Sequence, residues 1–299
     1  MEIAPPWLWA VFTIIAAAAQ TIRNATQRGL TTTIGTAAAT HVRFLFGLPF
    51  ALVFLAAVMI GRGEGLPQVP LAYWPWVIAG AATQIAATAL MLAAMSDRSF
   101  VVVYAYIKTE PVQAALFGLV FLGDAVAPGA AAAILIATAG VVTMALKPGT
   151  SSDMRATLLG LAAGAMFALS AVGYRGAILS LRLSDYVMAA TFTLTVGLFM
   201  IAVTLSLYLW LRQPKALAAI AAAWRPSLVA GFMGALASQF WNLAFALATA
   251  ASVRTLALIE VLFAQAVASF VFKQATTMRE RIGIVLIVIG VALLLLWAH

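Results

Sequence analysis

Residues 281–298 read Arg281-Ile282-Gly283-Ile284-Val285-Leu286-Ile287-Val288-Ile289-Gly290-Val291-Ala292-Leu293-Leu294-Leu295-Leu296-Trp297-Ala298, one arginine followed by an unbroken apolar run. A helix that is apolar all round is buried in a large protein or crosses a membrane, and a crossing takes about 20 such residues. The whole chain is built this way. Of its 299 residues, 65% are hydrophobic and 9% charged, with a mean hydropathy of +1.07. A soluble domain carries about 25% charged and 45–50% apolar residues. A globule of this size cannot put that much apolar surface inside itself, which excludes a cytosolic enzyme, a nucleic-acid-binding module and a secreted disulfide scaffold.

Working outward from residues 281–298, the pattern predicts an all-α membrane protein with ten transmembrane helices: 7–28, 34–60, 72–95, 99–121, 128–146, 156–178, 186–210, 227–249, 252–272 and 281–298. The loops are short and punctuated: Gly61-Arg62-Gly63-Glu64-Gly65 with Pro67 and Pro70, Pro148-Gly149-Thr150-Ser151-Ser152, and Arg212-Gln213-Pro214-Lys215. The start, Met1-Glu2-Ile3-Ala4-Pro5-Pro6, lacks a basic stretch, so the run from Trp7 is expected to be a first span rather than a cleaved signal. Seven of the eight tryptophans, all but Trp241, fall at expected span ends, where amphipathic rings meet headgroups.

The final run has an earlier echo. Ile134-Leu135-Ile136-Ala137-Thr138-Ala139-Gly140-Val141 matches Ile284-Val285-Leu286-Ile287-Val288-Ile289-Gly290-Val291, and Glu110 and Glu260 share the same 150-residue offset. Gly80 and Gly231 lie 151 apart, Arg28-Gly29 and Arg175-Gly176 147 apart. The expected units are residues 1–148 and 149–299, each of five helices. An odd number of spans inserts the second copy upside down, the arrangement of transporters that bind near the membrane midplane and work by alternating access.

Polar side chains at membrane depth are the default functional candidates. Thr13, Ala17, Gln20, Asn24 and Gln27 form a stripe on one face of the first helix. Gln84 and Thr88 share a face of the third with Met91 and Met95, which suit a pocket for varied apolar groups or ordinary packing. In the fourth, Tyr106, Glu110, Gln113 and Phe117 share a face, and Tyr104 and Lys108 lie on the opposite one. Pro111 removes a backbone hydrogen bond beside the glutamate and is a hinge candidate or a tolerated proline. Phe167, Ser170 and Tyr174 line the sixth helix, where Gly160 and Gly164 allow close helix approach, internal or dimeric. Ser238, Trp241, Asn242 and Phe245 share a face of the eighth. Trp241 reads equally as a lipid-facing or packed indole and as a pocket wall.

Glu110 and Glu260 have two readings: proton exchange or binding of a substrate ammonium, and a structural ion pair with Arg43, Lys108 or Arg254. His41 and Arg43 are placed to bind a carboxylate, or Arg43 snorkels. The charges expected at depth are thus Arg43, Lys108, Glu110 and Glu260, beside His41. With no cysteine and two histidines, His41 and His299, no metal site or cofactor is expected. The net charge of +8 reads as orientation signal, not a nucleic-acid surface. Arg62, Arg175, Arg182 and Arg254 are assigned to one side. Arg28, Arg98, Lys147, Arg155, Arg212, Lys215, Arg225, Lys273, Arg279 and Arg281 are assigned to the other. That balance places both termini outside.

These residues resemble a known family. Ile107-Lys108-Thr109-Glu110-Pro111-Val112, then Phe121-Leu122-Gly123-Asp124 and Gly140, are similar to the EamA-type repeat of the drug/metabolite transporter superfamily, whose fourth helix reads Leu-Glu-Pro-Val and ends in a Gly-Glu turn. Arg43-Phe44 resembles its second-helix arginine. The second half departs from the pattern at Val261 and Gln274. Trp241-Asn242 resembles the eighth helix of YddG-type amino-acid exporters. The resemblance implies ten helices, both termini in the cytoplasm, and export of small metabolites without ATP hydrolysis. The expected function is a multi-pass plasma (inner) membrane transporter of amino acids, including aromatic and apolar ones, with protons as a candidate partner and a monomer sufficient. The competing functions are a drug, sugar-phosphate or nucleotide-sugar transporter of the same superfamily, a passive facilitator, and an intramembrane lipid-processing enzyme.

Overall fold

The computed structural model describes residues 4–97, 103, 106–145, 154–270 and 277–297, and among these every regular element is a helix. The expectations for Tyr104, the 148–152 loop, Gln274 and His299, and for the side chains of Arg28 and Met95, lie outside the described residues. Helices α1 (Leu8–Ile34), α2 (Thr36–Leu45), α3 (Gly47–Arg62) and α4 (Tyr73–Asp97) lead to α5 (Glu110–Leu122), α6 (Pro128–Ala145) and α7 (Met154–Ser180). Then come α8 (Tyr186–Arg212), α9 (Pro214–Ala222), α10 (Trp224–Leu247), α11 (Ala250–Leu256), α12 (Ile259–Phe270) and α13 (Met278–Trp297).

Among the described residues, six stretches are long and apolar enough to cross a membrane: Ala38–Arg62, Tyr73–Ala94, Met154–Ser180, Tyr186–Arg212, Trp224–Leu247 and Met278–Trp297. Two shorter apolar helices, Glu110–Leu122 and Pro128–Met144, accompany them. This all-helical architecture is compatible with a membrane protein.

The chain forms two compact units, each drawn from both halves of the sequence. The first comprises residues 1–81 and 176–247. In it α1 packs along α10, and α2 and α3 lie against α8 and α10. Gly35 breaks the chain between α1 and α2 with φ 81, in the left-handed region that favours glycine. Phe46 keeps helical angles, so α2 and α3 run on as one apolar stretch. Segment 211–226, expected as a loop, holds α9 instead. Pro214 occupies its first turn, where its missing N–H costs nothing, and Ile220 is buried against Leu30, Val42 and Leu209. Asp185 caps α8, its Oδ1 accepting from the Val187 and Met188 amides at 2.8 and 3.4 Å.

The second unit comprises residues 82–175 and 248–299. Its main contact is α6 on α13, the two segments that echo each other in sequence. A Cβ on Gly140 would stand 2.7 Å from the Gly283 carbonyl, and one on Gly290 2.6 Å from the Ala137 amide. The repeated glycines therefore meet at one interface where backbones touch. Gly160 and Gly164 also serve internal packing: their missing side chains make room for the Tyr106 Cβ and the Ile107 carbonyl. Gly123, at φ 69, ends α5, and the Asp124 amide closes the turn on the Gly118 carbonyl at 3.1 Å.

Tryptophan placement differs in two places from the belt expected. Trp9 is buried, and Trp76 lies over the bare Gly176. Both fill space inside the first unit instead of facing headgroups. Trp7, Trp74, Trp210, Trp224 and Trp297 are exposed near helix ends.

Candidate functional site

Two expected spans are interrupted, and the interruptions carry the charges. The fourth, expected unbroken over 99–121, turns at Lys108-Thr109 and restarts with Glu110 as the first residue of α5. The ninth, expected over 252–272, is split at Ala257-Leu258 into α11 and α12, with Glu260 in the first turn of α12. Each glutamate thus sits at a helix N-terminus, where free amides and the helix dipole favour negative charge.

The pairing is crossed. Lys108, in the first break, forms an ion pair with Glu260 after the second. Arg254, ahead of the second break, approaches Glu110 after the first, Nε to Oε1 at 2.9 Å. All four side chains are buried or nearly so. Of the two readings of the glutamates, the geometry is that of ion pairs, with Lys108 and Arg254 as partners. In a low-dielectric interior such pairs survive because each charge is matched at contact distance.

Neighbouring groups hold the first break in shape. The Thr109 hydroxyl donates to the Tyr106 carbonyl at 2.7 Å, and the Gln113 amide donates to the Thr109 hydroxyl at 3.1 Å and the Leu161 carbonyl at 3.4 Å. Tyr106 precedes α5, so the face expected for Tyr106, Glu110 and Gln113 is cut by the turn. Pro111 lies in the first turn of α5. There a proline starts a helix, whereas the expectation was a hinge candidate or a tolerated proline inside a continuous one. Gln84 accepts from the Ser170 hydroxyl at 3.0 Å.

A further, largely buried pair in this unit corrects the charge assignment. Arg175 Nε and Nη2 donate to Asp124 Oδ2 and Oδ1 at 2.7 and 3.1 Å, and Nη1 donates to the Ala248 carbonyl at 2.7 Å. Arg175 and Arg254, counted above among the orientation charges of one side, lie in helices with their side chains only 12% and 15% exposed. Both follow long apolar runs, and only the tertiary partner distinguishes such an arginine from one at a membrane surface. The Gly-Asp turn of the sequence motif is here the device that delivers Asp124 to Arg175.

The first unit holds the remaining candidates. Trp241 is buried, and its Nε1–H donates to Gln20 Oε1 at 3.2 Å. Asn242 donates to the Ser238 carbonyl at 2.9 Å, and Ser238 is half-buried. His41 pairs with Ser206 Oγ at 2.9 Å. Arg43 lies over the Phe44 ring at 4.4 Å. Asn24 is exposed, and the buried member of that turn is Arg23, which donates to Asn24 Oδ1 at 2.7 Å. Arg23 adds a cation at depth that the sequence reading omitted, because it lies off the polar stripe. Gln239 was also missed. It is buried and donates to Thr191 Oγ1 at 2.7 Å. Among the described residues, no three His, Cys, Asp or Glu side chains are grouped to hold a metal.

No family model matches the chain, and no curated protein matches it. Among solved structures it is similar to one described only as a crystal structure of a protein, with a TM-score of 0.71 and 18% identity over 96% of this chain and 98% of the other. Likeness at that identity speaks to the fold alone.

Proposed function

We propose that the chain is a secondary transporter that exports small metabolites, amino acids with aromatic or apolar side chains among them, without ATP. In this reading it is a multi-pass protein of the plasma (inner) membrane, with ten spans in two inverted five-helix repeats, 1–148 and 149–299, of the EamA type in the drug/metabolite transporter superfamily. The observation that carries it is the pair of broken helices, with glutamates 150 residues apart in sequence and cations exchanged between them. Interrupted apolar segments in corresponding positions of two halves are the best pointer to a transport pathway. Charges placed at depth are retained for function more readily than for stability. Zwitterions fit better than phosphates, because Lys108 and Arg254 are already matched by carboxylates.

The test is flux into and out of proteoliposomes with a panel of labelled amino acids and no nucleotide. Saturable flux of at least one is expected. No flux for any member of the panel refutes the reading. Removing Arg175 and Arg254 from the loop charges widens the asymmetry between the two sides and favours termini outside, which a terminal reporter fluorescent only in the cytoplasm checks by remaining dark.

A further inference from the structure

The two ends of α8 differ in charge. At its start Arg62 Nε meets Asp185 Oδ2 at 3.0 Å, and Glu64 and Arg182 lie in the adjoining loops, so two cations are balanced by two carboxylates. Beyond its last turn come Arg212, Lys215 and Arg225, all exposed, and the sequence holds no Asp or Glu between Asp185 and Glu260. Among the described residues none of these three cations forms an ion pair. With 27 residues, α8 is about 40 Å long, close to the thickness of a bilayer with its headgroups. Its balanced end and its cationic end therefore reach opposite faces. The nine residues of α9 lie between Arg212 and Arg225, too few to cross. Ile220 packs inward on Leu30, Val42 and Leu209, while Lys215, Ala218 and Ala222 share the other, exposed side. Exposed tryptophans bracket the helix, Trp210 before it and Trp224 after it, and the Arg225 guanidinium stands 5.4 Å from the Trp224 ring. Indoles settle at headgroup depth. With one at each end, α9 runs along the interface and holds its cations in the headgroup layer.

We propose that α9 and its flanks form a docking strip for anionic phospholipid headgroups, with Arg212, Lys215 and Arg225 on the phosphates. Charge complementarity selects this occupant. A zwitterionic headgroup brings no net charge to the strip, whereas attraction to an anionic leaflet is worth about fivefold in binding for each Lys or Arg at its surface. Orientation at insertion uses the same charges but requires no lipid partner in the folded state. The strip depends on the chain lying in a membrane and not on what the chain transports.

The chain has no cysteine, so Ala218→Cys and Ala72→Cys each give a single labelling site. Ala218 is on the exposed side of α9, and Ala72 is exposed in the loop that follows Arg62. Each full-length chain carries a fluorophore there and is placed in nanodiscs of equal parts phosphatidylglycerol and phosphatidylcholine, with bromine on the acyl chains of one lipid or the other. At Ala218 brominated phosphatidylglycerol is expected to quench about twofold or more above brominated phosphatidylcholine. At Ala72 the two are expected to quench alike. Salt at about 1 M, where the screening length falls to about 3 Å, is expected to remove the preference at Ala218. Arg212→Gln with Lys215→Gln and Arg225→Gln is expected to remove it at low salt, and Arg212→Lys with Arg225→Lys to retain it. Equal quenching at Ala218 by the two lipids, the same preference at Ala72, or a preference that survives both salt and neutralisation overturns the strip. Quenching at Ala72 alone overturns it and keeps the membrane reading, whereas no quenching at either position refutes both.

Discussion

Lys108→Met removes one member of a buried pair and leaves its partner in place. Lys108 is 7% exposed and Glu260 5%, so water does not reach the carboxylate that remains. Stranding one charge of a buried pair costs about 3–5 kcal/mol, whereas replacing both with apolar groups of similar volume runs from neutral to about 1–4 kcal/mol stabilising. Glu260→Met is expected to cost as much as Lys108→Met, and Lys108→Met with Glu260→Met to recover most or all of the loss. The coupling in this double-mutant cycle is thus about 3 kcal/mol or more. Unfolding in mixed micelles of increasing dodecyl sulfate, followed by tryptophan fluorescence, measures all four chains. A cost below about 1 kcal/mol for either single change, or additive costs in the double, refutes the assignment. An exposed or water-bridged pair gives such values.

Asp124→Asn is expected to destabilise by about 1–3 kcal/mol in the same assay, because it withdraws the carboxylate from the largely buried Arg175. Gly290→Ala is expected to cost about 1–3 kcal/mol by pushing α13 off α6, since its new methyl meets the Ala137 backbone. Gly61→Ala is the control: nothing lies within 4 Å of that Cβ, and helix propensity alone makes it stabilising by about 0.5–1 kcal/mol. Trp241→Phe keeps an aromatic ring but loses the bond to Gln20 and some buried volume, for a cost of about 1–3 kcal/mol. In a growth-resistance screen against toxic amino-acid analogues, Glu110→Gln and Trp241→Ala are expected to lose resistance while still inserting. Full resistance in both refutes their place in the transport path.

The apolar runs were legible because each shows its period and length within a single window of sequence. The Gly140 and Gly290 echo was legible as repetition but not as an interface, since sequence spacing does not say that α6 meets α13. The break at Ala257-Leu258 carries neither glycine nor proline. Nothing local announces it, and it is fixed where Glu260 meets Lys108. Arg175 and Arg254 were read as loop charges for the same reason: at the edge of an apolar run, an arginine's depth depends on a carboxylate far away in the chain. Asn242 was visible beside Trp241, but Gln239 points to Thr191 on α8, and its partner makes it notable. What local chemistry dictates could be read, and what a distant partner dictates could not.

The crossed pairs bear directly on coupling. A proton carrier in a membrane needs a carboxylate that changes charge during the cycle. Protonating Glu260 removes the negative charge beside the buried Lys108, and protonating Glu110 removes it from beside Arg254. Each event resembles the single substitutions above in leaving a cation with less compensation in a low-dielectric site. Such a cost is met only if the two glutamates exchange cations or the breaks open as the proton arrives. Under the transport function proposed above, intact pairs would leave the substrate to flow down its own gradient with no proton required. Efflux from proteoliposomes is therefore expected to proceed at the same initial rate with and without an imposed proton gradient. A gradient-dependent rate that Lys108→Met abolishes identifies the pair as the coupling element and refutes a passive path.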